Sequence, residues 1–307
     1  MIKNVILDTD LGSDVDDVGA VALANILHNK KIINLLCVTH TTSGLYGPLV
    51  CEAINEFYHN DDIPVGVHKG KEFLKEELPD NYPQPTSEAF PHKHQSVEEL
   101  PDAVKMLREY LENNDHVTLI FVGPLMNLGN LMKSEPDEIS PLNGEDLINQ
   151  KVDAVYIMGG GFPDVTGLPK FDWPEYNLAM ALEETIYSVN RLKVKTVFVD
   201  GTIGQQVLTG AKVSKEYGDS HIVGYAYSHY IYKNEDNSRF SWDPMTVYVA
   251  CIKDDLFKEV GPGIVSIDEK GYTTFKEDKN GNFYVIDKNK SYQEIQDVLE
   301  DLLMEGN

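Results

Sequence analysis

The sequence is short of basic residues: 26 Lys and Arg stand against 50 Asp and Glu in 307 residues, a formal net charge of −24. A surface this acidic repels phosphate backbones and anionic lipid headgroups, and it offers no basic stripe to release counterions from a nucleic acid. Nucleic acid and membrane partners are therefore not expected. Long hydrophobic runs are missing as well. The longest, such as Val117 to Val122, fall far short of the roughly 18 residues that cross a bilayer. The first residues, Met1 to Asp8, lack a charged segment followed by a long apolar one, which leads to the expectation of a cytoplasmic protein. Cysteine is scarce. Cys37, Cys51 and Cys251 are widely spaced and odd in number, which fits buried reduced thiols and not a disulfide framework or a Cys-ligated metal.

What is present is an ordinary apolar fraction of 42%, enough for a sizeable core. Apolar runs at Val5–Leu7, Ile32–Val38, Val65–Val67, Val117–Val122, Val152–Met158 and Val194–Val199 are apolar throughout, the mark of strands buried on both faces of a mainly parallel sheet. Between them, Asp17–Leu27, Pro48–Tyr58, Glu98–Leu111, Leu178–Val189 and Asp243–Ile252 carry helical spacing. This alternation predicts a doubly wound α/β fold, with residues 1–307 as a single domain. A proline-rich stretch at about 70–101 reads as a long loop, a lid or a binding loop. From about 264 to 303, alternation around Asn280-Gly281 predicts a hairpin, followed by a closing helix over Ile295–Leu303.

The densest chemistry lies in Asp8-Thr9-Asp10-Leu11-Gly12-Ser13-Asp14-Val15-Asp16-Asp17, where five of ten residues are Asp. It sits where the first strand ends and the first helix begins, and in open α/β sheets ligands bind in the crevice at the strands' carboxyl ends. Five like charges in one turn repel one another unless a cation compensates them, and hard oxygen ligands select Ca²⁺ or Mg²⁺ over Zn²⁺. An EF-hand is excluded, because counting from Asp8 places Gly12 and Gly19 at its fifth and twelfth positions. The Asp8-Thr9-Asp10 triplet also resembles the strand-borne motif of haloacid-dehalogenase-type phosphohydrolases. On that alternative Asp8 is the nucleophile of an Mg²⁺-dependent enzyme, although Gly12 stands where that family has Thr or Val.

The cluster, taken with Val122-Gly123-Pro124-Leu125-Met126-Asn127, Met158-Gly159-Gly160-Gly161, Glu175-Tyr176-Asn177 and Trp242-Asp243-Pro244 in that order, resembles the nucleoside hydrolase family over roughly residues 3–255. The resemblance implies hydrolysis of the N-glycosidic bond of a ribonucleoside by water, through an oxocarbenium-like transition state, with Ca²⁺ holding the ribose 2′- and 3′-hydroxyls and the water. Carried over residue by residue, it implies Asp10 as general base and Asp10, Asp17, Asp243 and the Val122 carbonyl as metal ligands. It implies Asp16, Glu175 and Asn177 on the ribose, and Asp8 beside them in a supporting or ribose-contacting place. It also implies a homodimer or homotetramer.

Three departures from the family pattern matter. Leu11 replaces a proline, and the carboxylate pair is displaced by two residues, so that Asp14 competes with Asp16 and Asp17 for the metal and ribose. The segment Thr39-His40-Thr41-Thr42-Ser43-Gly44 lacks the usual Asn, leaving His40 as a candidate on that side. Trp242 precedes Asp243 where pyrimidine-accepting members have a His acid; an indole stacks on a base but does not protonate it, and a purine-specific subgroup has Trp there. Purine nucleosides are therefore the expected substrates, with His40, His92 and His94 as replacement acids to test and Phe171 to Tyr176 as a segment that either closes over the base or packs on the sheet. A third alternative is a nucleoside- or ribose-binding protein without effective leaving-group activation.

Overall fold

The computed structural model describes residues 2–75, 78 and 80–305. Glu76, Glu77 and Pro79, part of the expected proline-rich loop, lie outside the described residues, as do Met1, Gly306 and Asn307. The strands are β1 (Lys3–Thr9), β2 (Ile33–His40), β3 (Val65–Val67), β4 (Val117–Phe121), β5 (Val152–Met158), β6 (Lys195–Val199), β7 (Leu208–Thr209), β8 (Arg239–Phe240), β9 (Phe257–Ile267), β10 (Thr273–Glu277) and β11 (Phe283–Lys288). Nine of them form one sheet in the order β10-β9-β11-β6-β5-β4-β1-β2-β3, while β7 and β8 pair apart. From β3 to β11 neighbours run parallel, and β9 and β10 add an antiparallel edge.

Apolar side chains from both faces of these strands feed two cores, one on each side of the sheet, and helices cover both. The fold is thus the doubly wound α/β architecture that the alternating runs predict. Its order reverses between β1 and β4, so the chain leaves β1 toward one side of the sheet and β4 toward the other. That divergence opens a crevice at their carboxyl ends. Asp8 lies on β1 opposite Thr39 of β2 and Phe121 of β4, so Asp10 and Val122 emerge side by side at this switch point.

Several expectations shift by local physics. The helix expected over Glu98–Leu111 starts instead at Ala103, because Pro101 holds Leu100 extended and the Asp102 side chain accepts the Lys105 N–H as an N-cap. Leu178–Val189 splits into Tyr176–Met180 and Leu182–Val189 at Ala181, whose φ and ψ of −114° and 49° leave the helical region. The proline-rich stretch contains a helix at Pro83–Ala89 with Pro at its start, where the missing N–H costs nothing. The hairpin turns at Asp268–Gly271 between β9 and β10, not at Asn280-Gly281. Asn280-Gly281 instead carries the chain from β10 past β9 to β11, which pairs with β9 and β6. A capping box of Ser291 and Glu294 starts the last helix, Tyr292–Leu303. Cys37, Cys51 and Cys251 are buried and unpaired. Among the described residues, no helix is long and apolar enough to cross a membrane.

Candidate active site

Two helix starts meet at the crevice. Asp16 and Asp17 open the helix Asp16–Asn29, and Asp243 lies in the first turn of Trp242–Cys251, where the partial positive charge of free N–H groups favours carboxylates. The helices approach closely because residue 19 is glycine: a Cβ there would sit 3.0 Å from Pro244 Cγ and 2.8 Å from the Tyr227 hydroxyl. Asp16 ties them together, its Oδ2 accepting the backbone N–H groups of Trp242 and Asp243, each at 3.0 Å. Thr9 Oγ1 donates to Asp17 Oδ1 and fixes that carboxylate against the end of β1. As a result, carboxylate oxygens of Asp16, Asp17 and Asp243 lie within 4.8 Å of one another.

These three line a cavity of about 580 Å³ together with Asp10, Asp14, Val122, Glu175, Asn177 and Trp242. That volume suits a ligand of nucleoside size. Asp10 is held against the neighbouring strand end by the absence of a side chain at Gly123, where a Cβ would lie 2.7 Å from Asp10 Oδ1. Burial, then repulsion from Asp16 and Asp8, pushes the Asp10 carboxyl up to about 8. Asp16, Asp17 and Asp243 rise well above the ordinary carboxylate range for the same reasons, burial first and neighbouring Asp charges after it. Four buried carboxylates facing one space are costly when ionised, and a hard cation among them reverses that cost. The donor set is all oxygen, which fits Ca²⁺ or Mg²⁺.

The other residues singled out from the sequence are placed as follows. Asp14 lines the cavity but turns its carboxylate to Arg239, with Nε at 2.9 and 3.0 Å from its two oxygens and Nη2 at 2.5 Å, so it stands apart from the converging trio. Asp8 is buried behind the site and does not line the cavity. Its Oδ2 accepts from Thr39 Oγ1 at 2.6 Å and Asn127 Nδ2 at 2.7 Å, Oδ1 has no hydrogen-bond partner, and burial pushes the group up to about 7. Such a sealed carboxyl is not presented to a substrate, and the phosphohydrolase alternative loses its nucleophile. Glu175 caps the helix Tyr176–Met180, accepting N–H bonds from Asn177, Leu178 and Gly160, and burial still raises it to about 7. Asn177 Nδ2 donates to the Val122 carbonyl at 2.8 Å and lies 3.1 Å from Met158 Sδ. The Val122 oxygen keeps one further lone pair.

Trp242 is half-buried on the cavity wall, its Nε1 donating to the Gly201 carbonyl at 2.8 Å and its ring 5.2 Å from that of Phe240. His40 is fully buried between the carbonyls of Leu11 and Thr42, His92 contacts the carbonyls of Ser87 and His94, and His94 pairs with Glu52. None of the nine histidines lines the cavity. Phe171 and Trp173 do line it, stacked with centroids 6.1 Å apart and Trp173 exposed at the mouth. Sequence reasoning missed Arg239, one of three arginines in the chain, although it stands three residues before Trp242. It also gave no role to the residues that bracket Asp8 and Asp17: Thr9 and Thr39 are single polar residues on strands and carry no pattern, and Asn127 ends the Val122–Asn127 segment without announcing its bond to Asp8.

A family model described as inosine-uridine preferring nucleoside hydrolase matches residues 5–301. Among solved structures, the fold is similar to a plant nucleoside hydrolase at 18% identity, with a TM-score of 0.72 and 99% of this chain and 100% of that chain covered. It is similar to a purine-preferring ribonucleoside hydrolase from Gardnerella vaginalis at 17% identity and TM-score 0.74, with 99% of each chain covered. A third similar structure is an inosine-uridine preferring nucleoside hydrolase from Bacillus anthracis, at 18% identity, TM-score 0.67 and 99% coverage of both chains. No curated protein sequence matches the chain. The family match begins within the first strand and ends within the last helix, so it takes in every carboxylate of the crevice. The chain belongs to the inosine-uridine preferring nucleoside hydrolase family, enzymes that act on N-glycosidic bonds.

Proposed function

We propose that this protein hydrolyses ribonucleosides with Ca²⁺ as its metal, Asp10 as its general base and purine nucleosides as its better substrates. The observation that carries this reading is the convergence of Asp16, Asp17 and Asp243 in the cavity that Asp10, Asn177 and Trp242 also line. Asp10, Asp17, Asp243 and the Val122 carbonyl are the ligands this reading assigns, with Asp16 beside them. When bound, the cation supplies a fixed positive charge that orients a ribose diol and acidifies a water. Asp10 then takes the water's proton as its oxygen attacks C1′, while the bond from C1′ to the base nitrogen breaks and its electron pair leaves with the base. Asp10 must be ionised for this, and its position among like charges makes that ionisation depend on the cation. This reading assigns Asn177 to the sugar; its Nδ2 is fixed by the Val122 carbonyl, and Glu175 holds the turn that carries it.

Trp242 offers the base a ring face and no proton, because its single N–H is spent on Gly201. A purine gains more from stacking than a pyrimidine does, which supports the purine preference. The test is release of free ribose from inosine, guanosine, adenosine and uridine in Ca²⁺, without release of phosphate from simple monoesters. The Asp10→Asn variant should lose at least a hundredfold in kcat. Full activity in that variant, or no turnover of any nucleoside, overturns the reading.

A second reading has one specific observation in its favour: no histidine reaches the cavity to protonate the leaving base. On that reading the chain binds nucleoside or ribose and turns it over poorly. Calorimetric binding of inosine or ribose in Ca²⁺ with no ribose released on long incubation would establish it.

A further inference from the structure

The cavity contains one guanidinium, and its surroundings point to a role. Arg239 lies on β8, lines the cavity beside Trp242, and is packed over three rings, with its central carbon 5.0 Å from the Phe240 centroid, 5.2 Å from Trp242 and 5.5 Å from Tyr230. Such enclosure by aromatic faces fixes the plane of the guanidinium. The pair with Asp14 fixes its rotation: one edge of the fork, Nε and Nη2, is given to the two carboxylate oxygens. A guanidinium has five N–H donors, so Nη1 and the outer N–H of Nη2 remain as a second edge of two parallel donors. Nη1 has no hydrogen-bond partner among the described residues. A bidentate partner on one edge and an open donor pair on the other is the arrangement of a residue held to read a ligand.

We infer that Arg239 selects 6-oxopurine nucleosides by donating both hydrogen bonds of its free edge to adjacent acceptors on the base. This rests on the proposed hydrolase reading and deepens it. The ligand must present two acceptors side by side. Hypoxanthine and guanine do so at O6 and N7, whereas adenine presents an N6 donor beside N7 and meets the same edge with one repulsive contact. Uracil places an N–H between its two carbonyls and offers no adjacent pair. A phosphate would also suit a guanidinium, but Asp14 already neutralises this one, and Asp10, Asp16, Asp17 and Asp243 line the same cavity. A hydrogen bond to N7 also draws electron density from the departing ring, which compensates in part for the absent histidine acid.

The experiment compares kcat/KM for inosine, guanosine and adenosine in the Ca²⁺-loaded wild-type protein, in Arg239→Met and in Arg239→Lys, with the melting temperature of each variant recorded. The wild type should favour inosine and guanosine over adenosine, and in Arg239→Met the inosine-to-adenosine ratio should fall at least tenfold. Arg239→Lys keeps a cation opposite Asp14 but not the two-donor edge, so it should lose the same selectivity; it decides the matter if Arg239→Met does not fold. A variant that loses all three substrates in equal proportion, or a ratio unchanged in Arg239→Lys, overturns the inference and leaves the hydrolase reading standing. A wild type that releases ribose from none of the three overturns both.

Discussion

Removing divalent cations from this protein should destabilise it more at pH 8 than at pH 6. Without a cation the native state holds protons on buried carboxyls that the unfolded chain has already lost: Asp10 is pushed up to about 8, and Asp8 and Glu175 to about 7, from ordinary values near 4. For an acid whose folded value is raised, the unfolded state binds fewer protons across the window between the two values, so stability falls as pH rises through it. Between pH 6 and pH 8 the Asp10 carboxyl alone costs about 2 kcal/mol, at about 1.4 kcal/mol per proton per pH unit. A cation at a hundredfold excess over its Kd restores about 2.7 kcal/mol at either pH only if its Kd is unchanged, and proton competition weakens that Kd at pH 6. The melting-temperature gap between Ca²⁺ and chelator should therefore widen by roughly 3 °C from pH 6 to pH 8. Differential scanning calorimetry at both pH values, with Ca²⁺ and with chelator, measures it. A gap that is the same at both, or one that narrows as pH rises, would refute the idea that these carboxylates gather around a cation.

Three further outcomes follow from the same geometry. Asp243→Asn should raise the melting temperature in chelator, by relieving repulsion among Asp10, Asp16 and Asp17, while abolishing the response to Ca²⁺ in the same calorimetric scan. Gly123→Ala places a methyl 2.7 Å from Asp10 Oδ1 and 2.9 Å from its backbone nitrogen, so it should displace the base by a fraction of an ångström. Ribose release should then fall by about a hundredfold, with circular dichroism unchanged. Trp242→Ala removes a ring face worth about 1–3 kcal/mol to a stacked base, so KM for purine nucleosides should rise at least fivefold, and more than KM for uridine.

The α/β order, the parallel strands and the crevice at the end of β1 were legible in the sequence because they rest on repetition: apolar runs buried on both faces read the same way each time. The aspartate cluster was legible because five like charges in ten residues need a physical reason. What stayed hidden depends on pairings across the chain. Asp14 reads as an equal of Asp16 and Asp17 until Arg239, 225 residues later, is seen to claim it. Glu175 reads as a sugar ligand from the sequence, and what the sequence does not show is that its carboxylate also accepts three backbone N–H groups at a helix start too short to announce itself. Asn280-Gly281 carries a strong hairpin signal, but β9 lies between the strands it joins, and a local turn preference says nothing of a strand inserted from earlier in the chain.

The division of labour among the acids also bears on charge selectivity. Of the six aspartates near the crevice, Asp8 is enclosed by Thr39 and Asn127, and Asp14 is neutralised by Arg239. Four remain to face the cavity, and one divalent cation among them leaves about two negative charges uncompensated. At an effective dielectric near 20, a phosphate group about 5 Å from one such charge meets a repulsion of about 3 kcal/mol. A 5′-nucleotide therefore pays this cost where a nucleoside does not, and a single pair of that size already weakens binding by about a hundredfold. The −24 of the whole chain acts in the same direction over longer distances and is screened by salt, whereas the cavity charges are not. Preference for inosine over inosine 5′-monophosphate should accordingly persist at high ionic strength. Its disappearance in salt would place the discrimination on the protein surface and not in the crevice.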